Sequence, residues 1–168
     1  MDRQLFHTEL EIANIVTRLH SVLMTIPDIG STNDGMILGE IGEIHCFSAP
    51  GKLLAFAGLD PFVYQSGNFQ AKKTCMSKQG SCMLRYALMN AAHNAVKNNT
   101  TFKAFYDAKR AEGRSHYNAL GHCPGKLVRV IWKMLTDEID FENAPLESFI
   151  KVILFSIDKK NNFCLIYA

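Results

Sequence analysis

Ser66 is the residue whose surroundings most suggest chemistry. It lies in "LDPFVYQSGNFQ", residues 59–70, among aromatic residues, and the chain beyond it becomes basic at Lys72, Lys73 and Lys78. A hydroxyl beside several cations is a place where an anionic group such as a phosphate can bind. To react with that group, a serine hydroxyl needs an adjacent base or metal, because it is a weak nucleophile at its free pKa.

The sequence around Ser66 offers little to activate it. Asp60 is the one carboxylate that closely precedes it, and no histidine or carboxylate follows before His93. The stretch also lacks the first glycine of the G-x-S-x-G motif, so a Ser-His-Asp hydrolase is unsupported. Two readings stay open: Ser66 is activated from outside this segment, or it is an ordinary loop serine. Two later serines, Ser77 and Ser81, are predicted to be a turn residue and a helix N-cap.

Positive charge is concentrated in one part of the chain. Between Ser66 and Leu135 there are twelve Lys or Arg and two acids, a net charge of +10, whereas the remainder carries six basic and fourteen acidic residues, a net −8. Such a segment suits a phosphate-facing surface, because neutralised phosphates release counterions. A solvated helical surface whose acids lie elsewhere in the sequence is the alternative. The candidate phosphate contacts are Lys72, Lys73, Lys78 and Arg85.

Length and composition indicate a soluble globular class. The chain has 168 residues, 48% hydrophobic and 20% charged, enough for one domain with a core. It contains no apolar run of about 18 residues and no secretory signal at its N-terminus, so no membrane partner is expected. Five scattered cysteines without a CxxC pair favour reduced thiols, with no metal site, in a cytoplasmic protein.

The N-terminal region is predicted to be helical. Over residues 3–24, Leu5, Ile12 and Leu19 fall seven apart, which is typical of a coiled-coil seam. An amphipathic helix that packs on its own domain is the equal alternative.

The stretch 25–42 is predicted to form a helix-hairpin-helix. Pro27 and Gly30 separate two short helices and Gly42 ends the second. Backbone N–H groups near Gly30 suit a phosphate, although Asp28 and Asp34 would oppose its approach, and a plain αα-corner stays open.

The remaining pattern predicts a mainly α fold: the helix-hairpin-helix, then a compact helical domain with a short C-terminal tail of β character. A short helix over 52–57 should end at Gly58, and a helix over 101–111 should bury Phe102, Phe105 and Tyr106. A strong helix should begin at Ser81 with the apolar face Met83, Leu84, Ala87, Leu88, Ala91, Ala92 and Ala95. The last helix should bury Leu120, Leu127, Val128, Ile131 and Leu135, with Pro124 costing on the order of 3 kcal/mol or forcing a kink.

Several motifs in combination resemble a known family. They are "IPDIG", "GEIGEIHCFSAPGKLLAFAGLDPFVYQSGNF", "SKQGS" and "LRYALMNAAHNAVKNN". From about Met24 to Leu135 the chain resembles the C-terminal domain of the DEDD-type insertion-sequence transposases, the family that includes the Piv-type invertases. The resemblance implies that 1–24 is the end of a coiled-coil helix, that 25–136 is the transposase C-terminal domain, and that 137–168 is a tail foreign to the family.

The resemblance also implies a function. Ser66 matches the serine that attacks a DNA phosphodiester and forms a phosphoserine link. The Mg²⁺ that activates this serine is expected on an N-terminal RNase H-like domain absent here, so no cofactor is expected in this chain. The implied partners are DNA, a structured guide RNA, and either a second copy or an intact transposase bound through the N-terminal helix. The implied location is the bacterial cytoplasm, at the nucleoid when bound to DNA.

The sequence departs from the family at several places. Asp28 stands where glycine is usual, Asp34 lies among expected apolar residues, and Pro124 replaces an alanine. With the missing metal-binding domain, these departures indicate a truncated reading frame. Two hypotheses follow: the serine-bearing part of a transposase, or a non-catalytic nucleic-acid-binding or interaction remnant.

Overall fold

Six α-helices form most of the part of the molecule that the structure describes. A computed structural model describes residues 2–27, 29–62, 65–66, 69–70 and 75–141, and at residues 2, 62, 65, 66, 69, 70 and 75 it describes the backbone alone. The helices are α1 (Asp2–Arg18), α2 (Ser31–Ile41), α3 (Pro50–Phe56), α4 (Cys82–Asn98), α5 (Thr100–Ala111) and α6 (His116–Asp137). Four short strands lie between α3 and α4: β1 (Pro61–Phe62), β2 (Gln65–Ser66), β3 (Phe69–Gln70) and β4 (Cys75–Met76). The predicted mainly α class is confirmed.

The N-terminal helix is shorter than predicted. α1 ends at Arg18 because the chain turns at His20, whose φ is +48°. Ser21 then caps a 3₁₀ turn, Val22–Thr25, by accepting a hydrogen bond from the N–H of Leu23 at 3.2 Å. The prediction of one helix over 3–24 is therefore wrong in its last turn, and no regular seam continues through that turn.

The two alternatives for α1, a coiled-coil seam and packing on its own domain, each fit part of the helix. Val16 is 1% exposed, and the Cβ of an alanine at Gly35 would lie 2.9 Å from Ile12 Cγ2, so this face packs on α2. Leu5 and Ile15, in contrast, are 58% and 54% exposed. The helix packs on its own domain and still presents apolar side chains to solvent.

The predicted hairpin differs from the structure in its first helix. α2 begins after Gly30 and ends at Gly42, whose φ is +60°, as predicted. The helix before it is a four-residue 3₁₀ turn rather than an α-helix. Asp34 is fully buried and accepts a hydrogen bond from the Ser21 hydroxyl at 3.0 Å, so it does not face an approaching phosphate. Asp28 lies outside the described residues.

The core forms around α4, which packs against α2, α5 and α6. Six of the seven predicted face residues are buried, and four of these six are alanines: Leu84, Ala87, Leu88, Ala91, Ala92 and Ala95. Such small side chains let neighbouring helices approach closely. Met83 was assigned to this face wrongly, since it is 49% exposed. On α5, Phe102 is buried as predicted, while Phe105 and Tyr106 are half-buried.

α6 runs without interruption through Pro124, so the predicted defect does not end the helix. Its predicted face is buried, except for the half-buried Leu135. After α6 the chain returns to the N-terminal region, where the N–H of Phe141 donates to Thr25 Oγ1 at 2.8 Å. The predicted β tail, from residue 142 onward, lies outside the described residues.

Candidate functional site

Ser66 lies in a segment of paired strands, residues 61–76, which we call the serine segment. β1 pairs antiparallel with β4, with Phe62 opposite Cys75, and closes the segment at its base. β2 pairs antiparallel with β3 inside it, which places the backbone of Ser66 opposite Phe69. The prediction of a loop over 59–70 is therefore wrong at these positions: the backbone of Ser66 belongs to a hydrogen-bonded ladder.

The base of the serine segment is fixed by Asp60 and Ser77. The N–H of Ser77 donates to the carbonyl of Asp60 at 2.8 Å, and the Ser77 hydroxyl donates to Asp60 Oδ1. These bonds extend the pairing of β1 and β4 by one residue pair, and Ser77 lies outside the turns of the described residues, so its prediction as a turn residue is not confirmed. Asp60, the nearest carboxylate to Ser66 in sequence, has a structural role in this hydrogen bond.

Two glycines let the flanking backbones meet. α3 ends in a Schellman motif at Gly58, with φ of +64°, in which the N–H of Gly58 reaches the carbonyl of Ala55 at 2.8 Å. Gly80 crosses the same helix end so closely that an added Cβ would lie 2.1 Å from the carbonyl oxygen of Phe56. The N–H of Ser81 donates to that oxygen at 2.8 Å. The motif "SKQGS" is therefore a backbone clamp on the end of α3.

Arg85 completes this clamp from α4. One of its guanidinium nitrogens donates to the carbonyl of Ala57 at 3.0 Å and lies 2.8 Å from the position of a Cβ added at Gly58. The side chain is half-buried. Arg85 was predicted to contact a phosphate, and in the structure one of its nitrogens already bonds to the end of α3.

Ser81 connects three elements. Its hydroxyl accepts from the N–H of Leu84 at 3.0 Å, which confirms the predicted N-cap of α4, and donates to Glu40 Oε2 on α2 at 2.6 Å. Sequence reasoning missed Glu40. No local signal reveals it, because the two residues are 41 positions apart and meet only when α2 packs beside α4.

The other predicted residues fall in separate places. Lys78 is exposed beside the base of the serine segment, with φ of +54°. Gly30 is exposed at the start of α2, about 15 Å along the helix from Glu40 at the usual rise per residue. Lys72 and Lys73 lie outside the described residues, as does the neighbourhood of the Ser66 side chain. The structure thus brings Lys78 and Arg85 together and leaves Gly30 at the far end of α2.

Part of the positive charge is buried. Lys126 on α6 is 9% exposed, and burial lowers its pKa to about 8. Its Nζ lies 5.2 Å from the ring centroid of Phe105. Burial, together with the charge of Arg114, lowers the pKa of His122 to about 4, so this histidine is neutral at physiological pH. These groups belong to the packing of α5 and α6 rather than to the serine segment.

The described part of the chain holds no group of three His, Cys, Asp or Glu side chains placed to bind a metal ion. Within the same residues, no helix has both the length and the apolar character to cross a membrane.

Comparison with known proteins adds a family. Residues 20–107, from the end of α1 into α5, match the model described as Transposase IS116/IS110/IS902 family. The uncharacterized 43.6 kDa protein of insertion element IS110 from Streptomyces coelicolor is 26% identical over 125 residues, 74% of this chain and 31% of the relative. The 42 kDa protein of IS900 from Mycobacterium paratuberculosis is 23% identical over 73% of this chain, and the 44.8 kDa protein of IS116 from Streptomyces clavuligerus is 26% identical over 74%. The match again covers 31% of each relative, so the chain corresponds to about a third of their length.

Proposed function

This chain belongs to the IS116/IS110/IS902 family of transposases, and from that membership we propose that it is the DNA-binding, serine-bearing part of a DEDD-type, Piv-like transposase. The observation that carries the proposal is the position of Ser66 on a paired strand. That strand belongs to a segment whose base is clamped between α3 and α4. A rigid base is what a nucleophile needs, because a small misplacement of the reacting atom costs much of the rate.

The proposed chemistry is a phosphoryl transfer to Ser66. The hydroxyl oxygen forms a bond to a backbone phosphorus of DNA while the bond from that phosphorus to one deoxyribose oxygen breaks. The released sugar oxygen takes the proton, and the product is a phosphoserine link. The Mg²⁺ that the resemblance implies is, in this proposal, held outside this chain. In this reaction, the chain presents the Ser66 hydroxyl and binds the DNA backbone.

Cations near the serine segment support the DNA-binding part of the proposal. Lys78 is exposed at its base, and Lys72 and Lys73 lie between β3 and β4 in the sequence. Arg85 has one guanidinium nitrogen on Ala57 and further N–H groups for a phosphate. A further place for a phosphate is the N-terminus of α2, far from the serine segment, where the backbone N–H groups that follow the exposed Gly30 are available.

A covalent trapping assay tests the catalytic role. The chain is combined with the metal-binding domain of a family member, Mg²⁺, guide RNA and labelled target DNA, and protein–DNA adducts are separated under denaturing conditions. We expect an adduct that Ser66→Ala abolishes and that Ser48→Ala, which changes an exposed serine before α3, leaves in place. The absence of an adduct, under conditions in which an intact relative forms one, would refute the catalytic role.

Salt dependence tests the binding role. Duplex binding should weaken steeply with added salt, with a logarithmic slope of about 0.9 for each phosphate contact. The double substitution of Lys72 and Lys73 by alanine should lower that slope by about 2. Lys52→Ala, which removes an exposed lysine outside the basic segment, should leave it unchanged. A flat salt response of the parent chain would contradict docking through the basic segment.

A non-catalytic nucleic-acid-binding or interaction role is the second candidate. It is favoured by the engagement of Asp60 with Ser77, because this removes the nearest carboxylate in sequence from the activation of Ser66. This role predicts DNA binding with the salt dependence above and no adduct in the trapping assay.

The remaining proposals concern partners. We expect guide RNA as a second nucleic-acid partner and the bacterial nucleoid as the working location. We also expect self-association, or pairing with an intact transposase, through the exposed apolar residues of α1, among them Leu5 and Ile15. Leu5→Asp should weaken this association in analytical ultracentrifugation, and Glu9→Gln, an exposed change on the same helix, should not.

A further inference from the structure

The corner between α5 and α6 presents a ladder of three rings that ends in solvent. The Tyr106 hydroxyl on α5 and Nδ1 of His116 on α6 are hydrogen-bonded at 2.6 Å, and the two ring centroids are 5.7 Å apart. Tyr117 continues the ladder, with its ring centroid 5.2 Å from that of His116 at an interplanar angle of 63°. Tyr117 is 83% exposed, the highest value among the large hydrophobic residues that the structure describes as exposed. The terminal ring is thus supported by its neighbour and open to solvent.

A cationic side chain lies at the same corner as this ladder. The Arg110 guanidinium donates to the carbonyl of Arg114 at 2.6 Å, which places it at the turn before α6. Glu112 is held by Lys109 at 2.6 Å and by Arg114 at 3.0 Å, so its negative charge is compensated. Across residues 103–118 there are four basic and two acidic side chains, a net charge of +2.

An exposed ring with a cation nearby is a combination that binds an unpaired nucleobase, because the base stacks on the ring while the cation attracts its phosphate. We propose that Tyr117 is the stacking platform for one base of a single-stranded nucleic acid, with Arg110 beside the adjoining phosphate. Bases within a duplex are already stacked on each other, so the corner selects unpaired strands. This inference rests on the proposed function, which makes nucleic acid the partner. It adds a second nucleic-acid contact, at the corner between α5 and α6 and outside the serine segment, and its ligand is an unpaired strand.

Anisotropy titrations of the full chain test the proposal with three labelled probes: an oligothymidylate, an oligouridylate and a mixed-sequence DNA duplex. Tyr117→Ala should weaken binding of the single strands about 5- to 160-fold, the loss associated with stacking of one base, and leave duplex binding unchanged. Tyr86→Ala is the matched control, since Tyr86 is 60% exposed on α4 and lies outside the ladder. The DNA and RNA probes separate the two sources of an unpaired strand.

Tyr117→Trp gives a direct reading of stacking. The chain has a single tryptophan, Trp132, whose Nε1 donates to the carbonyl of Phe47 at 2.9 Å, so its emission serves as an internal record of folding. Emission from a tryptophan at 117 should be quenched by the single strands but not by the duplex. The same substitution at Tyr86 should show no quenching.

The outcomes separate this inference from the proposed function. If the parent chain binds the duplex but neither single strand, or if Tyr117→Ala behaves like Tyr86→Ala, the stacking site is refuted and DNA binding stands. If Tyr117→Ala weakens single strands and duplex equally, the corner does not select unpaired bases and the inference is also refuted. If the parent chain binds none of the three probes, the proposed function and this inference fail together.

Discussion

Replacing Gly80 by alanine should destabilise the protein through one contact. The added Cβ would lie 2.1 Å from the carbonyl oxygen of Phe56, whereas ordinary contacts begin at 3.4 Å, so the two backbones must separate by 1.3 Å. That carbonyl also accepts the N–H of Ser81 at 2.8 Å, a hydrogen bond that cannot survive such a separation.

The magnitude follows from these two effects. Loss of the hydrogen bond costs about 0.5–1.5 kcal/mol and forced overpacking about 1–3 kcal/mol. Gly80 is not among the glycines with positive φ, so alanine should regain about 0.4–1 kcal/mol by restricting the unfolded chain. The expected net loss is about 2 kcal/mol, which lowers the melting temperature by roughly 4–8 °C for a chain of this size.

Urea unfolding followed by far-ultraviolet circular dichroism measures this loss. Gly39→Ala is the matched control, because Gly39 lies within α2 and a Cβ there meets nothing within 4 Å. That substitution should stabilise the protein by about 0.5–1 kcal/mol, the usual gain of alanine over glycine in a helix. Equal stability of the two variants would show that the clamp on α3 is looser than the geometry indicates.

Three further predictions concern the same framework. Ser81→Ala should cost about 1–2 kcal/mol in urea unfolding, because it removes the cap of α4 and leaves Glu40 without this donor; an unchanged midpoint would contradict the capping role. Burial raises the pKa of Asp34 against the smaller opposing effect of its bond to Ser21, so the ionised form is penalised in the fold. The free energy of unfolding of the parent chain, relative to that of Asp34→Asn, should therefore rise as pH falls from neutral. This rise should level off below pH 3.8, the ordinary pKa of the Asp34 carboxyl group. A slope of the opposite sign would refute the assignment. Arg85→Gln should cost about 1 kcal/mol by removing the bond to Ala57, and the salt slope of DNA binding should fall by about 0.9 if Arg85 also contacts a phosphate.

Features fixed by local chemistry were predictable from the sequence. The end of α2 at Gly42, the end of α3 near Gly58 and the cap at Ser81 depend on glycine at positive φ and on a hydroxyl beside free N–H groups. The buried face of α4 follows from helical periodicity, and its one error, Met83, lies in the first turn.

Features that depend on distant contacts were not predictable in this way. α1 ends at Arg18 although its apolar pattern continues, because the hydroxyl of Ser21 bonds to the buried Asp34 and turns the chain inward. α6 tolerates Pro124 because its helix is held by packing on α3, α4 and α5. The bond of Glu40 to Ser81 likewise exists only in the assembled fold.

The candidate site also combines features that are visible in the sequence with features that arise only in the fold. The residue types around Ser66 and the basic charge that follows are properties of the sequence. Three other features appear only in the fold. The backbone of Ser66 pairs with that of Phe69, the Ser77 hydroxyl donates to Asp60, and the Arg85 guanidinium donates to the carbonyl of Ala57.

Net charge therefore overstates the surface that is open to a phosphate backbone. Of the twelve cations between Ser66 and Leu135, Lys126 and Arg129 lose part of their exposure on α6, and burial lowers the pKa of both. Lys109, Arg114 and Lys133 form ion pairs with Glu112 or Asp137.

Among the twelve cations, those that are exposed and have described side chains are Lys78, Lys97, Lys103 and Arg110. Lys72 and Lys73, whose structure lies outside the described residues, and Arg85, whose remaining N–H groups are proposed to bind a phosphate, bring the candidate contacts to seven. Seven contacts give a salt slope of about 6 rather than the value of about 11 that twelve contacts would give. Two of the four, Lys103 and Arg110, lie on α5 and one, Lys78, at the base of the serine segment. The exposed positive charge is therefore divided between α5, the base of the serine segment and, through Lys97, the last turn of α4. The first two are the places where we propose that an unpaired strand and a duplex bind.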